Sequence, residues 1–140
     1  MSKIPSETQK NLILYYFIMF DFTLLLSAII FVTIDYFYLN LIKDYFRKQV
    51  QSVQGSPFKM NFLGAIICYI FLIFGINYFI IIPKRSVQDA FLLGLVIYGV
   101  FETTNITLFS NWSWITVIID TLWGGILFAL TTYIIRFIKP

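Results

Sequence analysis

Residues 114–138 read WITVIIDTLWGGILFALTTYIIRFI, a run that is apolar almost throughout and charged only at Asp120 and Arg136. A helix of about 20 such residues crosses a hydrocarbon core of roughly 30 Å. Three further stretches of the same kind precede it, at about 12–42, 60–82 and 87–106. Hydrophobic types make up 59% of the 140 residues and charged types only 12%, more apolar surface than a soluble domain of this length could hide. The expected fold is therefore all-α: an integral membrane bundle of four transmembrane helices, one transmembrane domain over residues 1–140, in contact with the lipid bilayer.

The breaks between spans are short. Gly55-Ser56-Pro57 closes the first, Pro83-Lys84-Arg85 the second, and an uncharged segment containing Asn111, Trp112 and Ser113 separates the third from the fourth. The first apolar run, from Asn11, is too long for a signal core and lacks a small-residue cleavage site, so it is expected to be retained as a span. It also exceeds one perpendicular crossing, which tilt would accommodate. Beyond it, Ile42, Phe46, Val50 and Val53 recur at helical spacing, with Lys43, Asp44, Arg47, Lys48 and Gln51 on the other faces. That pattern predicts an amphipathic interfacial extension after the first span. Trp112 and Trp114 suit a headgroup-level belt, and Cys68 reads as a small buried hydrophobe.

An even number of spans puts both tails on one side. That side carries Lys3, Lys10, Lys84, Arg85, Arg136 and Lys139, six basic residues against the four of Lys43, Arg47, Lys48 and Lys59 opposite. The positive-inside rule then favours cytoplasmic tails.

The net charge of +3 sits in tails and connections and reads as membrane-surface anchoring, with no nucleic-acid footprint. Histidine is absent and Cys68 is the only cysteine. His-ligated zinc, His-held haem, Cys-His nucleophiles and intrachain disulfide exchange are thereby excluded, and no metal or cofactor is expected. Any chemistry falls to carboxyls, hydroxyls, amides, Lys and Arg.

Three carboxyls stand out. Asp35 lies about seven residues before the end of the first span, Glu102 a few before the end of the third, and Asp120 about six into the fourth. All three ends face one side, so each carboxyl is expected one or two helical turns below the same surface. An ionised Asp at a helix centre costs about 2.5 to 3.5 kcal/mol on insertion scales, so such groups face a polar interior and often mark function. Tyr98, Glu102 and Asn105 share one helical face, Asp120 and Trp123 another, and Asp35 and Tyr38 a third. Thr103, Thr104 and Thr121 could add hydroxyls, and Gly94, Gly99, Gly124 and Gly125 would let helices approach closely. Lys43, Arg47 and Lys48 are expected at the mouth of this pocket, placed to neutralise its acids, attract an anionic group or touch headgroups. Asp21, without an evident partner, reads as an interfacial residue of a tilted helix, and Asn77 as helix-to-helix glue in the other leaflet.

In Tyr98-Gly99-Val100-Phe101-Glu102-Thr103-Thr104-Asn105 and Asp120-Thr121-Leu122-Trp123-Gly124-Gly125, supported by Asp35-Tyr36-Phe37-Tyr38-Leu39 and Tyr45-Phe46-Arg47-Lys48-Gln49, the chain resembles the small membrane-protein family called domain of unknown function 2177. Members usually carry Asp at the position of Glu102 and often Trp at that of Tyr38. The resemblance implies the membrane fold and a bacterial inner-membrane location, and supplies no reaction or catalytic residue.

Four functions fit these residues. The leading one is an uncharacterised membrane protein whose one-sided acidic pocket binds a lipid-like or cationic ligand. A membrane enzyme would use Asp35, Glu102 or Asp120 as acid or base on a lipid-like substrate, although no nucleophile motif accompanies them. A proton- or cation-coupled transporter would need access from both sides and, being small, a homodimer. An interaction protein would expose a small-residue face around Gly94 and Gly99 or Gly124 and Gly125.

Overall fold

In the computed structural model, residues 7–139 are described, except for the side chains of residues 12–21. Four α-helices follow one another: α1 (Glu7–Gln54), α2 (Phe62–Ile76), α3 (Val87–Leu108) and α4 (Trp114–Ile138), with a π-helical turn, Asn77–Ile81, continuing α2. All four are long and apolar enough to cross a membrane. The outer surface confirms the solvent: Leu41, Phe62, Phe71, Val100, Ile118 and Phe137 all point outward and are exposed, an apolar belt that water would not tolerate. The chain is an all-α membrane bundle.

The helix ends follow from local chemistry. Gly55, at φ +67°, closes α1 in the left-handed conformation that a Cβ disfavours. Asn61 caps α2 by accepting the Gly64 N–H, Ser86 and Asp89 form a reciprocal capping box on α3, and Ser113 accepts the Ile115 N–H at the start of α4. Nothing between Leu41 and Gln54 breaks a helix, so the amphipathic extension is a direct continuation of α1.

α1 and α4 run antiparallel in steady register. Going up α1, Thr23 meets Lys139, Phe31 meets Phe128, Asp35 meets Trp123, Tyr38 meets Asp120 and Tyr45 meets Thr116. From Thr23 to Gln49 that seam rises about 39 Å at 1.5 Å per residue, enough to reach past the hydrocarbon at both ends. α2 packs on α1 through Tyr69, Leu72, Ile76 and Ile80, a helical stripe that buries Phe31 against Tyr69 on one side and Phe128 on the other. Cys68 lies off this stripe and is exposed on the bundle's outer face, which corrects its assignment as a buried hydrophobe. α2 is apolar all round, so its sequence does not say which face turns inward.

α3 and α4 form the tightest pair. A Cβ added at Gly94 would collide with the Gly124 carbonyl oxygen, and one at Gly125 would stand 2.7 Å from the Phe91 ring. Gly94, Gly124 and Gly125 are buried in this seam, so the exposed small-residue face expected of an interaction protein is not there: those glycines serve packing within the chain. Gly94→Ala should therefore cost about 1–3 kcal/mol through overpacking against backbone, seen as a lower thermal unfolding midpoint in detergent. Gly75→Ala, with nothing within 4 Å, should leave that midpoint unchanged or raise it.

Candidate functional site

The α3–α4 seam and the α1–α4 register together deliver the three carboxyls to one region. Asp35, 5% exposed, accepts hydrogen bonds from Tyr69 Oη at 2.6 Å and from Trp123 Nε1 at 2.8 Å, tying α1 to α2 and to α4. Asp120, 8% exposed, accepts one from Tyr38 Oη at 3.1 Å. The rings of those two donors, Tyr38 and Trp123, stack with centroids 4.0 Å apart and planes within 9°. One aromatic pair thus joins the Asp35 and Asp120 carboxyls.

Glu102 is fully buried. Its Oε2 accepts from Trp112 Nε1 at 2.7 Å, whereas its Oε1 has no donor.

Trp112 belongs to the connection between α3 and α4, and the end of α1 straps this connection down. Gln49 Nε2 donates to the Asn111 carbonyl at 2.8 Å and Asn111 Nδ2 donates to the Ser52 carbonyl at 3.1 Å. Thr116 Oγ1 donates to Gln49 Oε1 at 3.2 Å and also bonds Tyr45 Oη at 2.9 Å. Phe46 meets the Trp112 ring edge to face at 6.2 Å. The Trp112 indole turns its N–H inward to Glu102, and Trp114 is exposed.

Beside Asp120, between α1 and α4, lies a cavity of about 100 Å³ walled by Tyr38, Ile42, Tyr45, Phe46, Thr116, Ile119 and Asp120. Of the residues singled out from sequence, Asp35, Tyr38, Asp120 and Trp123 meet in one hydrogen-bonded and stacked network, and Glu102 bonds Trp112. Tyr98 packs its ring against Gly124 and makes no hydrogen bond to the acids. Asn105 is half-buried and closes α3 by accepting the Phe109 N–H. Thr103 and Thr104 turn back onto carbonyls of their own helix. Lys43, Arg47 and Lys48 are exposed, and among the described residues none forms an ion pair with the carboxyls. Asn77 joins α2 to α1 by donating to Ser27 Oγ at 2.8 Å. The Asp21 side chain and Lys3 lie outside the described residues.

Sequence reasoning did not anticipate Tyr69, Gln49, Tyr45 or the inward role of Trp112. Tyr69 carried a usable signal, as a polar hydroxyl within an apolar span level with Asp35 on an antiparallel neighbour. Gln49 lies three residues from Phe46 and four from Tyr45, on the face of α1 turned to α4.

Fold and site define a polytopic four-helix membrane protein with a buried carboxyl layer. Residues 17–136 match the family described as predicted membrane protein (DUF2177), and the chain belongs to it. No curated protein and no solved structure matches it.

Trp112→Phe keeps an aromatic ring against Phe46 and Phe109 and removes the donor to Glu102. It should lower unfolding stability by about 1–3 kcal/mol, the cost of a buried acceptor left unpaired. In a Glu102→Leu background the same change should cost little, and a denaturant-based double-mutant cycle in mixed micelles reads that coupling.

Proposed function

We propose that this membrane protein binds a proton, exchangeable for a monovalent cation, at the Glu102 and Asp120 carboxyls. The observation that carries this is the fully buried Glu102 carboxyl, whose Oε1 has no donor, in a carboxyl layer with no basic side chain. The donors to the two carboxyls, Trp112 and Tyr38, are neutral, so the negative charge of the layer has no counter-charge among the described side chains. A charge of that kind, removed from water, draws a proton or another cation strongly. Asp35 is joined to the pair through the Tyr38–Trp123 stack, so a change of charge at Asp120 is felt there. Of the lipid-like or cationic ligand that the sequence suggests, the cationic part is favoured, because Asp35, Glu102 and Asp120 are acids whose donors Tyr38, Tyr69, Trp112 and Trp123 are all neutral.

Transport is a second reading with its own support. In the other half of the bundle Ser27 and Asn77 form a buried pair, Thr131 and Thr132 hold buried hydroxyls without a partner, and α2 opens into its π-helical turn at Asn77. The α1–α4 register sets Ser27 level with Thr131. Such π turns recur at functional sites, and a polar level there would give a bound proton or cation a second station. A homodimer suits that reading, since one four-helix chain is small. We assign the protein to the bacterial inner membrane with both ends cytoplasmic, on the balance of basic residues and on the family resemblance.

Stepwise addition of sodium or potassium to weakly buffered protein in detergent should release about one proton per chain, the one the pair shares. Glu102→Gln and Asp120→Asn should each abolish the release. An unchanged release in both variants, or none from the native protein, would contradict the proposal. Cation-driven proton flux in reconstituted vesicles that Asn77→Leu suppresses would extend it to transport.

A further inference from the structure

We infer that the turn at Lys84 and Arg85, together with Arg136, binds the phosphate of an anionic phospholipid in the leaflet opposite the carboxyl layer. The site goes beyond the cation-binding reading and stands or falls apart from it.

Two segments far apart in sequence meet here. The Arg136 guanidinium, in the last turn of α4, donates to the Arg85 carbonyl in the connection between α2 and α3. That bond uses one nitrogen, and the remaining donors of the planar fork suit phosphate oxygens. Lys84 and Arg85 are exposed, so three positive charges gather at one turn. Among the described residues none of the three forms an ion pair. Asp89, the acid nearest the turn in sequence, is committed to the capping box of α3, where it accepts the Ser86 N–H. Lys139 takes no part, since it donates to Thr23 and lies over the Phe22 ring of α1.

The turn itself is strained. The Arg85 N–H donates to the Ile80 carbonyl and the Lys84 N–H to the Ile81 carbonyl, the pair of bonds that ends a helix on a left-handed residue. That residue is Lys84, at φ +55°. Glycine is the usual occupant, because a Cβ is strained there. A lysine held where glycine fits best points to a use for its charge. The surroundings select a lipid over a free anion. Ile82, two residues before Lys84, and Tyr133 and Phe137, three residues before and one after Arg136, are exposed. A phosphate held by the cations therefore has apolar side chains beside it for an acyl chain to lie against. A choline or ethanolamine headgroup brings its own ammonium, which the three cations repel.

The test uses the full chain in a non-ionic detergent, with phosphatidylglycerol and phosphatidylcholine of matched acyl chains as probes and native mass spectrometry as readout. Saturable retention of phosphatidylglycerol is expected, with phosphatidylcholine retained more weakly. Lys84→Gly suits the left-handed turn and so keeps the fold. It and Arg85→Gln should each lower phosphatidylglycerol retention about tenfold, the loss of one charge-assisted contact. Arg136→Lys, which keeps the charge and loses the fork, should lower it as well. Lys10→Gln is the control: it removes the same charge about 20 Å further along α1 than the Thr23–Lys139 contact, and should leave retention unchanged. Equal retention of the two lipids, or full retention in both Lys84→Gly and Arg85→Gln, overturns the proposal. A loss in Lys10→Gln as large as that in Lys84→Gly also overturns it, because net charge alone would then explain binding. So does complete displacement of phosphatidylglycerol by inorganic phosphate, which would assign the turn to a free anion.

Discussion

A carboxyl group between helices in hydrocarbon must find its hydrogen-bond donors inside the protein, because the surrounding lipid offers none. In this bundle the donors come from other elements than the acids they serve. Asp35 of α1 is held by Tyr69 of α2 and Trp123 of α4, Asp120 of α4 by Tyr38 of α1, and Glu102 of α3 by Trp112 of the connection. Asp35 and Asp120 therefore fix the rotation and depth of neighbouring helices, and Glu102 fixes the connection that follows its own. The apolar contacts alone would do this poorly, since a helix that is hydrophobic all round can turn about its axis at little cost in lipid. Close packing at Gly94 and Gly124 sets the distance between α3 and α4, and the acid contacts set which faces meet.

This explains which features were legible in the sequence. The four spans were readable because the apolar runs are long and the punctuation is strong, with Gly55 and Pro57 after the first and Pro83 after the second. The convergence of Asp35, Glu102 and Asp120 followed from alternation of helix direction and 1.5 Å per residue. The partners did not follow. Tyr69 and Trp112 have default roles in membrane proteins, as apolar filler and headgroup anchor, and only the rotation of α2 and the fold of residues 109–113 turn them toward the acids. The same missing rotation hid the outward position of Cys68. Lys43, Arg47 and Lys48 are exposed, and the α1 face turned to α4 carries Tyr45 and Gln49.

The network also divides the site into a part that is closed and a part that is not. Asp35 has a donor on each oxygen and acts as a structural tie. Glu102 has one buried oxygen unsatisfied, and Asp120 has a cavity alongside. Function is most economically placed at this second part, under the strap that joins Gln49 and Ser52 to Asn111. That strap relates the α1 extension to the site: its inner face holds the α3–α4 connection, while Lys43, Arg47 and Lys48 are exposed.

The central claim is that Glu102 and Asp120 share a proton within the bundle. Infrared difference spectroscopy of the protein in lipid, recorded at neutral pH with and without deuterium exchange, reads that proton directly. The native protein should show a protonated-carboxyl C=O stretch that is shifted or lost in both Glu102→Gln and Asp120→Asn. A spectrum containing only ionised carboxylates, or a protonated band indifferent to both substitutions, would contradict it.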